Sequence, residues 1–137
     1  MIKHRLDSLD IGANINISIT NAGKWTVSSG KNSFPLDNIK DFFRIWRILE
    51  KPFSESQIAL TELAKNGPVS SPFPYWKLIA STFSAESRQW AEHSLGWIPH
   101  LSIDDKILLK PFLTEASRSE WISQPMAKTL NKYIQDI

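Results

Sequence analysis

Residues 38–51 read Asn-Ile-Lys-Asp-Phe-Phe-Arg-Ile-Trp-Arg-Ile-Leu-Glu-Lys, and they form the clearest helical pattern in the chain. Ile39, Phe42, Phe43, Trp46 and Leu49 follow the i, i+3, i+4, i+7 rule of an amphipathic helix, which predicts that they face a core. Asp37 or Asn38 can cap the start, Pro35 sits just outside, and Pro52 stops it. At about 100° per residue, Lys40, Arg44, Arg47 and Lys51 fall within one narrow stripe on the opposite side. A solvated helix face explains such a stripe without function. Four like charges in a row also repel one another, and an acidic partner or phosphates would neutralise them.

Upstream, Asn14-Ile15-Asn16-Ile17-Ser18-Ile19 alternates strictly and places three isoleucines on one face of a strand. Asn21-Ala22-Gly23 supplies turn chemistry, Trp25-Thr26-Val27-Ser28 resumes the alternation, and Ser29-Gly30-Lys31-Asn32 ends it. This predicts a β-hairpin over 14–28, which needs something to pack on. Downstream, Ser54-Glu55-Ser56-Gln57 reads as a capping box opening a helix that stops at Asn66-Gly67-Pro68. The proline-rich stretch 67–74 is too short and apolar for a linker and reads as a corner. Then come shorter helical runs. Pro74 opens one carrying Trp76, Ile79 and Ala80, and Ser84 caps one through Trp90, Ala91 and Leu95 to Pro99. Ser102 caps one with Asp104 and Asp105 in its first turn and Pro111 expected to kink or break it. The last holds Met126, Leu130, Tyr133 and Ile134, with Pro125 near its start.

The expected fold is therefore mainly α: one domain over 1–137, with a small hairpin (14–28) packed on about five or six helices (37–137). Starts near 84, 102 and 123 would pair to a period near 40, so a short solenoid-like stack is the variant of a plain bundle.

Composition narrows the function. Apolar residues make up 42% and charged residues 22%, so the chain can bury a core and is not a disordered segment. The absence of cysteine excludes thiolate metal sites, disulfides and cysteine nucleophiles. Met1-Ile2-Lys3-His4-Arg5-Leu6-Asp7 does not read as a secretory signal, and no run approaches a membrane span, so a cytoplasmic location is expected. Net charge is only +2, with the excess in residues 1–53, where eight basic residues face five acidic ones. Six tryptophans are the outlier; the ring fills cores, and it is also enriched at interface hot spots.

Chemical motifs are missing. His93 and His100 lie seven apart across Pro99, and Glu92 is adjacent to His93, so neither pairs as a metal-binding or base motif would require. No glycine-flanked nucleophilic serine or glycine-rich phosphate loop occurs. Asp104-Asp105 could be a catalytic carboxylate pair, but their place in a first helical turn accounts for them. No catalytic group, cofactor or metal is expected.

Two function classes remain. One is a binding module that docks on a single protein partner, with Lys40, Arg44, Arg47 and Lys51 as contact residues. The other is a nucleic-acid-associated factor using the same cations on phosphates, with aromatic rings stacking on bases and a steep salt dependence. An enzyme of unfamiliar type ranks third. In size, in lacking an export signal and cysteines, and in its plan of a hairpin followed by Trp- and Pro-punctuated helices, the chain resembles bacterial immunity proteins of contact-dependent growth inhibition systems. That resemblance implies a tight, non-catalytic complex with one cognate toxin domain, and it assigns no residue roles. On this reading, reversing the charges of Arg44 and Arg47 weakens partner binding without unfolding the chain.

Overall fold

The computed structural model describes residues 8–67 and 71–137. They fall into two compact units, Met1–Phe73 and Pro74–Ile137, dividing within the stretch read as a corner. His4 and the rest of the N-terminal heptad lie outside the described residues.

In the first unit, β1 (Ser8–Gly12), β2 (Ile15–Ile19), β3 (Trp25–Ser29) and β4 (Asn32–Pro35) form one antiparallel sheet in sequential order. The expected hairpin is its central pair, with Ile17 opposite Val27 and Ile19 opposite Trp25. Gly23 adopts φ +81°, and its N–H donates to the Thr20 carbonyl at 2.9 Å, closing the turn. The reading of a mainly α chain with a two-stranded hairpin is thus corrected to a mixed α/β architecture. The segment Ser29–Asn32, read as the end of the hairpin, is instead a tight turn into β4, with Gly30 at φ +60°. Both missed strands are short edges. Asn-Ser-Phe-Pro has little strand propensity, and proline belongs only at an edge. The β1–β2 turn holds Gly12, Ala13 and Asn14 all at positive φ, and the register shifts between Asp10 and Gly12.

One sheet face is apolar, with Ile17, Trp25 and Val27 buried; the other carries Asp10, Asn16, Ser18, Thr26, Ser28 and Ser33. Over the apolar face lie α1 (Phe53–Asn66), packed on β1 and β2, and the helix Ile39–Glu50, packed on β1. That second helix is not α. It is a 3₁₀ helix for all of its twelve residues. At 3.0 residues per turn, side chains at i and i+3 eclipse. The sequence then sorts into three columns: Ile39, Phe42, Ile45, Ile48; Lys40, Phe43, Trp46, Leu49; and Asp41, Arg44, Arg47, Glu50. The first is the core column, with Phe42, Ile45 and Ile48 buried. An α-helix would spread Phe42, Ile45 and Ile48 over about 120°, whereas the tighter pitch stacks them in one line; Leu49, also buried, lies a third of a turn away. Long 3₁₀ runs are uncommon because their hydrogen bonds are poorer; burial of Phe42, Ile45, Ile48 and Leu49 offsets that here. The α-period reading placed Phe43 and Trp46 in the core. Instead Phe43 is 52% exposed and Trp46 half-buried, while Ile45 takes the interior place.

The start of this helix is capped as expected around Asn38, with the Asp41 carboxylate accepting from the Asn38 N–H at 2.7 Å and the Asp37 N–H at 3.2 Å. The Ser54–Gln57 capping box is not formed: α1 begins at Phe53 after Pro52, with no side-chain cap. Trp25 buries its ring edge-on to Phe73 at 5.1 Å and donates its indole N–H to the Ser71 carbonyl at 3.0 Å. Phe73 also meets Phe42 at 6.1 Å. On α1 the buried Ser56 hydroxyl finds no partner. A desolvated hydroxyl without a hydrogen bond opposes folding. Ser56→Ala is expected to raise the unfolding free energy by about 0.5–2 kcal/mol, read as a higher urea midpoint; a lower midpoint would show that Ser56 does find a partner in solution.

The second unit comprises α2 (Tyr75–Ser84), α3 (Arg88–Leu95), a 3₁₀ turn (Ile98–His100), α4 (Ile103–Ser117) and α5 (Gln124–Gln135). α2 packs on α3 and α4, and α4 on α5. Six consecutive α2 residues, Leu78–Phe83, are buried, so this part of the helix is enclosed all round, Ser81 and Thr82 included. The buried Thr82 hydroxyl is satisfied by the Ile79 carbonyl at 2.7 Å and by Ser94 Oγ at 3.0 Å. Ser84 ends α2 rather than capping α3. Glu86 stands at φ +54°, the Glu86 N–H returns to the Phe83 carbonyl and the Ser87 N–H to Thr82, a Schellman closure. Ser87 supplies the α3 cap, accepting from the Trp90 N–H at 3.4 Å. Ser102 caps α4 as expected, through the Asp105 N–H at 3.2 Å. Pro111 does not break α4, which continues to Ser117. No helix among the described residues is long and apolar enough to cross a membrane.

Candidate partner-binding surface

The 3₁₀ pitch redistributes the four cations read as one stripe. Arg44 and Arg47 share a column, Lys40 lies a third of a turn away, and Lys51 follows the last turn. Asp41 and Glu50 bracket the two arginines, so that column is charge-balanced along its length. Lys51 pairs with Glu55 at 3.8 Å. The half-buried Arg47 guanidinium lies against Gly12: a Cβ built there would meet it at 3.0 Å. The arginine thus packs on the β1–β2 turn, where only glycine leaves room at φ +97°. Reversing its charge would disturb that turn, so the Arg44/Arg47 double reversal no longer separates binding from folding.

Arg44 is different. Its guanidinium lies 3.7 Å from the Phe34 ring centroid and 4.6 Å from that of Phe43. Phe43 in turn meets Trp46 edge-on at 6.5 Å. Phe34 stands on β4 directly across from the buried Val27, so the sheet fixes one ring and the helix column the others. The result is a continuous ladder, Phe34, Arg44, Phe43, Trp46, beside the exposed Lys40. Cation–π contact of this kind is worth about 0.5–1 kcal/mol at exposed sites and more when desolvated. Tryptophan, arginine and phenylalanine are the residues enriched at interface centres. Arg44 and Lys40, read from the sequence as contact residues, lie in and beside this ladder; Phe43 and Trp46 were assigned to the core by the α period, and Phe34 lies on a strand the sequence reading did not include. The signal that finds them is the apolar triplet Phe42, Ile45, Ile48.

The residues considered for chemistry do not converge. His93 stacks on Trp90 at 5.2 Å and is exposed, and His100 is exposed in the 3₁₀ turn. Among the described residues no group of three or more histidine, aspartate or glutamate side chains is placed to hold a metal. Asp104 is exposed and Asp105 half-buried. Burial, then the neighbouring Asp104 charge, push the Asp105 carboxyl above the usual range, against a hydrogen bond from Ser102 that lowers it. Tyr75, edge-on to Trp97 at 6.2 Å, is pushed up to about 12, first by burial and then by the Asp105 charge. A phenol so held is a poorer base and nucleophile at neutral pH, not an activated one. Because its pKa is raised on folding, Tyr75 leaves stability unchanged below about 10 and lowers it as pH climbs through about 12. Asp105→Asn is expected to bring the Tyr75 titration, followed by tyrosinate absorbance, back toward 10.0; an unmoved curve would deny the contact.

Of the six tryptophans, Trp25 and Trp97 are buried and Trp46, Trp76, Trp90 and Trp121 half-buried. Three of the latter have identifiable neighbours in the helical unit: Trp76 meets Phe112 at 6.3 Å, Trp90 meets His93, and Trp121 meets Phe83 at 6.2 Å. Trp46, half-buried like them, stands in the ladder of the sheet-bearing unit.

The chain is thus a mixed α/β protein with an aromatic–arginine ladder on its sheet-bearing unit. No protein-family model, curated protein or solved structure matches the chain.

Proposed function

We propose that this chain is a non-catalytic binding module that docks on one cognate protein, and that it acts in the cytoplasm as an immunity protein neutralising a toxin domain. The observation that supports docking is the ladder of Phe34, Arg44, Phe43 and Trp46, with Phe43 half in solvent. A large exposed ring held beside a stacked guanidinium is costly to leave wet and loses little side-chain entropy on burial. Inhibition by covering an active site needs only such a complementary surface. The toxin assignment rests on the resemblance to immunity proteins, with which the small size and absence of cysteine agree.

Capture from the native host with immobilised chain is the test. One stoichiometric protein partner is the expected result, and co-purifying nucleic acid in its place would favour the alternative, an accessory factor on phosphates. Phe43→Ala combined with Arg44→Gln is expected to weaken the complex by roughly a hundred-fold or more while circular dichroism and the melting temperature stay close to wild type. An unchanged dissociation constant in that double variant would remove the ladder from the interface. Protection of cells that co-express the captured protein would then test the toxin assignment separately.

A further inference from the structure

We infer that the partner meets Arg44 with a carboxylate, set beside an apolar seat for Phe43. This rests on the docking reading above and names the chemistry of the contact. Arg44 is half-buried, yet among the described residues its guanidinium has no hydrogen bond and no ion pair. Its Cζ lies over the Phe34 and Phe43 rings, 3.7 and 4.6 Å from their centroids. The N–H donors at the edge of the guanidinium plane are left for an acceptor from outside.

The acids that could have satisfied that edge are committed or distant. Asp41, one turn before Arg44 in the same column, spends its carboxylate on the Asn38 and Asp37 N–H groups. Glu50 lies two turns further along, beyond Arg47. The other unit shows the contrasting case: Arg88 turns both Nε and a terminal nitrogen onto the Trp121 carbonyl, at 3.0 and 2.6 Å, and is internally satisfied.

A planar fork held by two rings is pre-organised for a planar, two-pronged acceptor, and a carboxylate matches it bidentately. The exposed Phe43 ring lowers the local dielectric and strengthens that pair once water is excluded. Lys40, exposed beside the ladder, adds attraction of the same sign. A phosphodiester backbone fits less well. Tracking it takes several cations in line, and here Asp41 and Glu50 interrupt the line at either end.

The test uses three labelled probes at low salt: a short peptide of alternating Glu and Leu, the same peptide with Gln for Glu, and a short oligothymidylate. Wild type, Arg44→Gln and Arg44→Lys are titrated by fluorescence anisotropy. The Glu peptide is expected to bind. Changing Glu to Gln in the probe, or Arg44 to Gln in the protein, is expected to weaken it by roughly ten- to hundred-fold. Arg44→Lys, which keeps the charge and loses the fork, should fall between. Should Arg44→Gln fail to fold, weakening in a folded Arg44→Lys carries the test. Equal binding of the Glu and Gln peptides, no binding of the Glu peptide, or an unchanged constant in the folded variants would overturn the inference. Tighter binding of oligothymidylate than of the Glu peptide would overturn it in favour of phosphate. Capture of the native partner undiminished by Arg44→Gln would discard the carboxylate and leave docking intact. Failure of the wild-type chain to capture any single protein would discard docking itself.

Discussion

Ile45→Ala is expected to lower the unfolding free energy by about 2–5 kcal/mol, while Phe43→Ala, two residues earlier, lowers it by about 1 kcal/mol. Ile45 is fully enclosed, in the column that lies on the sheet with Phe42 and Ile48, and truncation leaves a cavity that the rigid strands beneath cannot fill. Phe43 is half in water and gives up mainly its contacts with Arg44 and Trp46. Urea denaturation of the two single variants decides the pitch of this helix. A 3.6-residue period puts Phe43 inside and relegates Ile45, so it expects the opposite order. A larger loss in Phe43→Ala than in Ile45→Ala would refute the three-column arrangement.

That contrast also marks how far the sequence was legible. Three isoleucines at alternate positions and Gly23 in the turn were enough to locate β2 and β3, because alternation over five residues has one structural meaning. β1 and β4 escaped because edge strands of four or five residues, one containing proline and the other ending in a glycine bulge, carry too little pattern. The helix at 39–50 was located correctly and its face misassigned in part: Phe42 and Leu49 are buried as read, Phe43 and Trp46 are not. Ile39, Phe42, Phe43, Trp46 and Leu49 satisfy an α period, yet Ile39, Phe42, Ile45 and Ile48 satisfy a period of three without a gap. Base rates favour α for any helix this long, and that preference hid the aromatic half of the candidate surface. The stripe of four cations was a product of the same assumed pitch. At Pro111 the local rule lost to its surroundings: Leu109, Leu113 and Ala116 are buried around the proline, and their packing carries α4 through it.

In the helical unit, Trp97→Ala is expected to cost about 3–5 kcal/mol. Trp97 is 2% exposed, at the junction between α3 and the 3₁₀ turn, and its ring abuts Tyr75 at the start of α2. Removing it opens a void next to the tyrosine. Water entering there relieves the main cause of the raised Tyr75 pKa, so the phenol should titrate nearer 10.0 than about 12. The two readouts are independent: a denaturation midpoint close to wild type would deny the packing role, and a Tyr75 titration unmoved from wild type would deny that Trp97 shields it. Trp97→Phe, which keeps a ring in place, is the milder variant in which the titration can be followed without loss of the fold.

Because each residue of the 39–50 segment keeps its place only modulo three, its length is quantised. Deleting one whole triplet shortens the rod by about 6 Å and leaves every remaining side chain on its own column. Deleting a single residue rotates everything after it by a third of a turn. In that frame downstream isoleucines swing onto the column of Arg44 and Arg47 while Trp46 and Leu49 take their inner places; inserting one residue instead turns the arginines inward. Length changes in this segment are therefore expected to be tolerated in steps of three, a restriction that a continuous 3.6-residue spiral would not impose.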